Sequence, residues 1–318
     1  MKRLPAICAS LCAFISLLIF PEAAAAGVKT GLNICVDKIL PSLLPFFIAS
    51  ALLSNLGVTA YIGRFLSPVS SRLFHVSGAG GSAFIMGLTG GYHLGASYIA
   101  EMYMHGQLEK QEAEKLLIFC NNSGPAFIIG ACGIGIFKSS AAGIFLYAVH
   151  IFAALLGGIL LSGKNKTVAS GEAAVMNMSF ANAFTASVKS SVNALLNVCG
   201  FIVAFTVLVS LFDAAGTFSV LTGTLAQYAH AELSFCRAFL VGFLELGSGI
   251  ASMSGLGITP LNLALAAFLL GWGGISVHFQ SFAVISDTDI KTARYMIGRL
   301  IIAILAAFIA YFGALLLF

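Results

Sequence analysis

The chain has 318 residues, of which 59% are hydrophobic and only 9% carry a charge. Its mean hydropathy is +1.00, and a soluble domain has about 25% charged residues. This composition excludes a soluble protein and predicts an integral membrane protein. The net charge of +4 is spread along the chain, which is typical of charged loops and not of a nucleic-acid-binding surface.

The sequence contains none of the common motifs of metal, nucleotide or hydrolase chemistry. Its seven cysteines are scattered without a C-x-x-C pair, which argues against a zinc site or a disulfide framework. Walker, H-E-x-x-H and G-x-S-x-G motifs are absent. We therefore predict a protein without a metal or cofactor and without enzymatic activity.

Residues 1–33 are predicted to form an N-terminal membrane segment and a connector. Lys2 and Arg3 precede an apolar run of 17 residues, and a proline, a glutamate and four alanines follow it. This arrangement suits a signal peptide with an A-x-A cleavage site as well as an uncleaved membrane anchor. The run is just long enough to cross a bilayer, which favours the anchor.

Further apolar stretches follow, and each is predicted to be helical because lipid cannot satisfy free backbone groups. They lie at about 39–58, 78–100, 114–137, 141–162, 193–212, 236–256, 260–285 and 296–318. Residues 78–97 contain seven glycines, and residues 236–256 contain four. Such glycine density predicts re-entrant hairpins inside the protein. The alternative is a tightly packed helix with Gly87, Gly91 and Gly95 on one face.

The two glycine-rich segments resemble each other, since AFIMGL at 83–88 aligns with AFLVGF at 238–243. We therefore predict an all-α polytopic membrane protein with two repeats, 34–162 and 193–318, and a cytoplasmic linker at 163–192. Each repeat would comprise a helix, a re-entrant glycine-rich hairpin, an interrupted helix and a final helix.

Lysine and arginine positions predict the orientation of the repeats, because these residues favour cytoplasmic loops. If the N-terminus is on the cytoplasmic side, five further basic residues are on that side as well: Lys164, Lys166, Lys291, Arg294 and Arg299. The two repeats then have opposite orientations in the membrane. Inverted repeats with broken helices are typical of secondary transporters, which bind their solute where the repeats meet.

The first interrupted helix contains the polar residues Asn121, Asn122 and Ser123, followed by Gly124 and Pro125. A proline inside a helix removes a backbone donor and clashes with the preceding turn, so the helix is expected to break here. We predict that the two amides and the hydroxyl bind a small polar solute. A structural kink that these side chains satisfy locally is the alternative.

The second interrupted helix carries Ser276, His278 and Gln280 after the pair Gly273-Gly274. A break at the glycines would allow alternate residues to share one side, and we predict that these three side chains also bind the solute. For His278 two interpretations are open. It is either a proton relay or solute ligand, or a buried histidine bonded to a carbonyl.

Glu245 lies within the second hairpin, where an ionised carboxylate costs about 2.5–3.5 kcal/mol at the bilayer centre. It is therefore the candidate for coupling to a cation or a proton. Other acidic residues have plainer interpretations. Asp287 and Asp289 are predicted to cap the helix that follows them, and residues 109–115 are predicted to form a solvated helix start.

Three segments resemble the family of sporulation integral membrane proteins of the YlbJ type, which carry a nucleoside-recognition or Gate domain. They are LPSLLPFF at 40–47, CNNSGPAFIIG at 120–130, and GGISVHFQ at 273–280 followed by Ser-Asp-Thr-Asp. The resemblance covers nearly the whole chain. It implies a protein of the bacterial cytoplasmic membrane that is needed for spore cortex formation, and it specifies no substrate.

The residues and the resemblance together predict a transporter-like protein for a small polar solute used in cortex formation. Its expected partners are the lipid bilayer, the solute and a coupling cation, and not nucleic acid. A homo-oligomer is an open possibility. The alternative is a membrane scaffold for spore envelope assembly that transports nothing. An intramembrane enzyme using Ser276, His278 and Glu245 is disfavoured, because no nucleophile elbow or metal set accompanies them.

Overall fold

The computed structural model describes residues 4–161 and 178–318, and the regular structure in these ranges is entirely helical. The first part contains α1 (Leu4–Ile19), α2 (Pro21–Ile34), a π-helical turn (Cys35–Ile39), α3 (Leu40–Asn55), α4 (Val58–Leu73), α5 (Gly78–Gly90), α6 (Tyr92–Met104), α7 (Lys110–Cys120), a π-helix (Ala126–Ile136) and α8 (Ser140–Leu161). The second part contains α9 (Phe180–Ala214), α10 (Thr217–Ala229), α11 (Leu233–Leu244), α12 (Leu246–Ser252), α13 (Pro260–Trp272), α14 (Gly274–Ile285) and α15 (Ala293–Leu317).

Five helical segments of the described chain are long and apolar enough to cross a membrane. They are Pro21–Asn55, Ser140–Leu161, Phe180–Ala214, Pro260–Ile285 and Ala293–Leu317. Large apolar side chains cover their outward faces, for example Phe308 and Leu316 on α15. A helix satisfies its backbone within the segment, as lipid requires. The protein is therefore an all-helical integral membrane protein, as the composition predicts.

The helices follow the same order twice. In each half a long helix is followed by an interfacial helix, a two-helix hairpin, an interrupted helix and a final helix. Gly57 and Gly216 occupy the same junction in the two halves, with φ of 78° and 72°. The orientation of one half relative to the other in the membrane stays a prediction. Lys164 and Lys166 of the predicted linker lie outside the described residues. The last part of that linker, residues 180–192, is helical.

The sequence did not predict α4 and α10, the second helix of each half. Both are shorter than a span and expose large apolar side chains, including Phe65 on α4 and Tyr228 on α10. Their mixed apolar and polar composition suits a helix that lies along the membrane surface. A search for long apolar runs misses helices of this kind.

The first hairpin consists of α5 and α6, and the turn between them is Gly91 with φ of 87°. The predicted ridge of Gly87, Gly91 and Gly95 on one helix is therefore wrong, because the helix ends before Gly91. Gly87 and Gly95 instead lie against the carbonyl oxygen of Cys120, the last residue of α7. A Cβ atom added at these glycines would lie 1.6 Å and 2.6 Å from that oxygen. The hairpin glycines thus make room for the end of α7.

Asp289, which was predicted to cap α15, instead joins neighbouring segments at the surface of the protein. Asp289 does not cap α15, whose N-cap is Thr292 without a side-chain hydrogen bond. Its carboxylate accepts hydrogen bonds from Lys110 Nζ and Tyr103 Oη, both at 2.6 Å. The Lys110 ammonium and the Tyr103 hydroxyl hold the pKa of Asp289 below its usual value. This surface cluster ties the first hairpin and α7 to the loop before α15.

The prediction that residues 109–115 begin a helix is confirmed, since α7 begins at Lys110, but the prediction that they are solvated is wrong from residue 112 onward, because Glu112 and Glu114 are buried. Glu112 accepts a hydrogen bond of 2.5 Å from the backbone amide of Ser77, before α5. Glu114 accepts one of 3.1 Å from the amide of Lys291, before α15. Both carboxylates satisfy backbone donors of neighbouring segments.

Candidate functional site

The first break separates α7 from the π-helix, and residues 121–124 are not helical. The half-helix α7 has 11 residues and is about 16 Å long. That is about half of the thickness of a hydrocarbon core, which is ~30 Å. The side-chain amide of Asn121 donates through Nδ2 to Ser281 Oγ and to Tyr295 Oη, both at 2.7 Å. Asn121 therefore links the first break to α14 and α15 of the second half.

The next two residues of the break satisfy buried polar groups around them. Asn122 donates to the carbonyl of Phe119 at 2.6 Å, in the last turn of α7. The backbone amide of Ser123 donates to Nε2 of His150 on α8 at 3.1 Å. The side chain of Asn122 thus acts as a C-terminal cap for the broken helix.

The second break is at Gly273 and Gly274, with φ of 88° and 80°, values that favour glycine. His278 follows one turn later and is fully buried among aromatic rings. Its ring centre lies 4.2 Å from that of Trp272 and 5.2 Å from that of Tyr295. Neither ring nitrogen of His278 has a hydrogen-bond partner among the described residues, and neither has the hydroxyl of buried Ser276.

Arg299 on α15 is a buried residue of the site that the sequence analysis assigned to the cytoplasmic face. That assignment is wrong, because Arg299 is 0% exposed. Its guanidinium donates to the carbonyl of Gly271, to Oδ1 of Asn122 at 3.2 Å and to the carbonyl of Ile118 at 3.5 Å. It also lies 5.6 Å from the ring centre of Tyr92. The signal was present, since an arginine two turns inside an apolar helix is costly and marks a functional or structural site.

Glu245 forms the turn of the second hairpin, between α11 and α12. Its carboxylate accepts hydrogen bonds from the backbone amides of Gly247 at 2.8 Å and Ser248 at 2.5 Å. A negative charge is stabilised at a helix N-terminus by these free amides and by the helix dipole. Glu245 is 2% exposed, so the start of α12 provides the polar environment that the carboxylate needs.

A cavity of about 60 Å³ lies where both hairpin turns approach the first break and α14, the half-helix that follows the second break. Of the predicted site residues, Ser123, Gln280 and Glu245 line it, together with Gly124 of the first break. Its other lining residues are Ile39, Leu43, Phe47, Gly90, Gly91, Tyr92, Phe127, Val198, Ile202, Leu246, Gly247 and Val277. The cavity is therefore mainly apolar, with a few polar groups that converge from the two halves.

The other predicted ligands do not line this cavity. Asn121 and Asn122 are engaged in the hydrogen bonds described above, and Ser276 and His278 lie behind the cavity wall. Tyr92, which the sequence analysis did not place in the site, separates the cavity from Arg299. Within the described residues no group of three histidine, cysteine, aspartate or glutamate side chains is placed to hold a metal ion.

Comparison with known proteins connects this architecture to a family. The family model described as Gate, nucleoside recognition, matches residues 36–166. The chain is 31% identical over 312 residues to the sporulation integral membrane protein YlbJ of Bacillus subtilis (strain 168), which covers 90% of this chain and 76% of that protein. No solved structure shows a significant match. With this identity and coverage, the chain belongs to the family of the sporulation integral membrane protein YlbJ.

Proposed function

We propose that this protein is a transporter of the bacterial cytoplasmic membrane that moves a small polar solute during spore cortex formation. The observation that carries the proposal is the cavity, because both hairpin turns, the first helix break and α14 contribute to its wall. Broken helices and a site between two halves are typical of secondary transporters. The repeated order of helices supports the further proposal that the halves are inverted repeats.

The polar groups at the cavity favour a neutral solute that both donates and accepts hydrogen bonds. Gln280 offers an amide that does both, and Ser123 offers a hydroxyl. Glu245 offers carboxylate oxygens at the hairpin turn, where loading and release of a proton or cation would couple to hairpin movement. A volume of 60 Å³ holds about four water molecules. The hairpin of α11 and α12 must therefore shift before a larger solute enters.

Gln280→Leu tests the proposal in a sporulating cell. The chain is expressed in a Bacillus subtilis strain that lacks YlbJ, and heat-resistant spores are counted. If the chain restores them, Gln280→Leu is expected to lower the count by at least about tenfold at an unchanged level in the membrane, because a lost polar contact costs about 1–3 kcal/mol. The matched control is Gln227→Leu on α10, whose side chain is exposed. Normal spore counts with Gln280→Leu would contradict the proposal.

One observation favours the alternative of a membrane scaffold. Asn121 donates to α14 and α15, and Asn122 accepts from Arg299, so both residues of the first break link the two halves, as a rigid structural core requires. A scaffold predicts that Asn121→Leu lowers both thermal stability and spore count. It also predicts that Gln280→Leu changes neither. A transporter predicts loss of function from Gln280→Leu with normal stability, so the two variants separate the hypotheses.

A further inference from the structure

The half-helices α7 and α13 both end at the centre of the protein, where their last carbonyls have no partner within the helix. Side chains from other segments satisfy these carbonyls. Phe119 O accepts from the side chain of Asn122, and Leu270 O accepts from the hydroxyl of Tyr92. Arg299 donates to one further carbonyl of each helix, Ile118 O on α7 and Gly271 O on α13. One guanidinium therefore joins the ends of the two interrupted helices.

The charge of Arg299 has no carboxylate partner among the described residues, where its guanidinium donates to two carbonyls and to Oδ1 of Asn122. Its compensation comes from the helix ends. Each helix C-terminus carries about half of a negative charge, so two ends together carry about one. This matches the single positive charge of a guanidinium. Without a cation between them, the two ends would repel each other in a medium that screens charge weakly.

We propose that Arg299 is a resident cation of the broken-helix junction. In transporters with broken helices, the C-terminal ends of half-helices and unwound carbonyls commonly bind a coupling Na⁺. Here the guanidinium occupies the equivalent position permanently, so the junction takes no metal ion. The inference goes beyond the proposed function, since the junction would need its cation in a scaffold as well as in a transporter. It also leaves Glu245, on the cavity side of Tyr92, as the group that exchanges a coupling ion.

Thermal unfolding of the purified protein in detergent tests the proposal. Glu245→Gln, which removes the other candidate site for a cation, is expected to have the same Tm, within about 1 °C, in sodium chloride and in choline chloride of equal ionic strength. Arg299→Ala is expected to lower the Tm by roughly 5–8 °C, because it leaves two buried carbonyls and Oδ1 of Asn122 without their donor. Methylguanidinium, a small cation of the same shape as the lost group, is expected to restore part of that loss.

The matched control is Arg237→Ala, which removes an arginine from a half-exposed ion pair with Asp213. A pair of this kind contributes about 0–1 kcal/mol, so a small change in Tm is expected, without rescue by methylguanidinium. Stabilisation of Glu245→Gln by sodium would overturn the proposal, because it would show an open cation site at the junction. An unchanged Tm of Arg299→Ala would overturn it too.

Two further variants decide the matter if Arg299→Ala does not fold. Arg299→Lys keeps the charge, whereas Arg299→Gln keeps hydrogen-bond donors without the charge. The lysine variant is expected to give more monodisperse protein and a higher Tm than the glutamine variant. Equal behaviour of the two would show that charge is irrelevant at the junction and would refute the resident cation. None of these measurements depends on solute transport, so their failure is distinct from a failure of the proposed function.

Discussion

Gly87→Ala places a methyl group where the end of α7 already lies. The added Cβ would lie 1.6 Å from the carbonyl oxygen of Cys120 and 2.6 Å from its carbonyl carbon. An ordinary contact begins at 3.4 Å, so hairpin and helix end must separate by about 1.8 Å. The atoms that the methyl group would meet belong to the backbone, so no side chain can rotate away. The expected loss in the free energy of unfolding is therefore at the upper end of the range for overpacked cores, about 3 kcal/mol. This corresponds to a Tm lower by roughly 4–5 °C for a chain of 318 residues.

The assay is thermal unfolding of the purified variant beside a matched glycine-to-alanine control. Gly200→Ala on α9 is that control, because no atom lies within 4 Å of the added Cβ. It is expected to leave the Tm unchanged or raise it slightly, since alanine is favoured over glycine within a helix by about 0.5–1 kcal/mol. If Gly87→Ala and Gly200→Ala unfold at the same temperature, the close packing of the hairpin against Cys120 is refuted.

Two other predictions concern the surface and the topology. Asp289→Asn is expected to lower the Tm at pH 7. The folded-state pKa of Asp289 is depressed below its usual 3.8. Its contribution to stability is therefore present above pH 3.8 and is lost as the pH falls through the depressed pKa. The Tm values of the wild type and of Asp289→Asn should converge as the pH is lowered from 7, and a constant difference would contradict the cluster of Asp289, Lys110 and Tyr103. Single cysteines at Lys138 and at 164–170, in a cysteine-free background, are expected to react with an impermeant label from opposite sides, and labelling from one side only would contradict the inverted repeats.

Local chemistry made the breaks in the helices predictable. Proline and glycine weaken a helix wherever they occur, so Gly124-Pro125 and Gly273-Gly274 marked the interruptions without knowledge of the fold. The hairpins were predictable from their glycine density. Glycine allows turns inside an apolar segment, and such turns must be buried in the protein because lipid cannot satisfy their backbone groups. The turn at Gly91 was not identified, since helical spacing also permits an unbroken ridge through it.

The direction of each polar side chain at the breaks was not predictable from the sequence. Outside a helix no periodicity relates neighbouring residues. Ser123 therefore reaches the cavity while Asn121 points to α14 and α15. Arg299 was misassigned for a different reason. A count of positive charges treats every arginine near a helix end as a loop residue. Arg299 instead lies in the interior of the protein, where it donates to carbonyls at the ends of α7 and α13.

Glu245 and Arg299 are opposite charges that do not pair with each other, and the helix ends explain why. Glu245 lies at the N-terminus of α12, where free amides favour a negative charge, and Arg299 lies at the C-terminal ends of α7 and α13, where free carbonyls favour a positive one. Each charge is thus stabilised separately, with Tyr92 next to both the cavity and the guanidinium. A change in the charge of Glu245 would therefore leave the bonds of Arg299 intact. Under the proposed function, this separation would allow one hairpin to move while the junction of the broken helices stays closed.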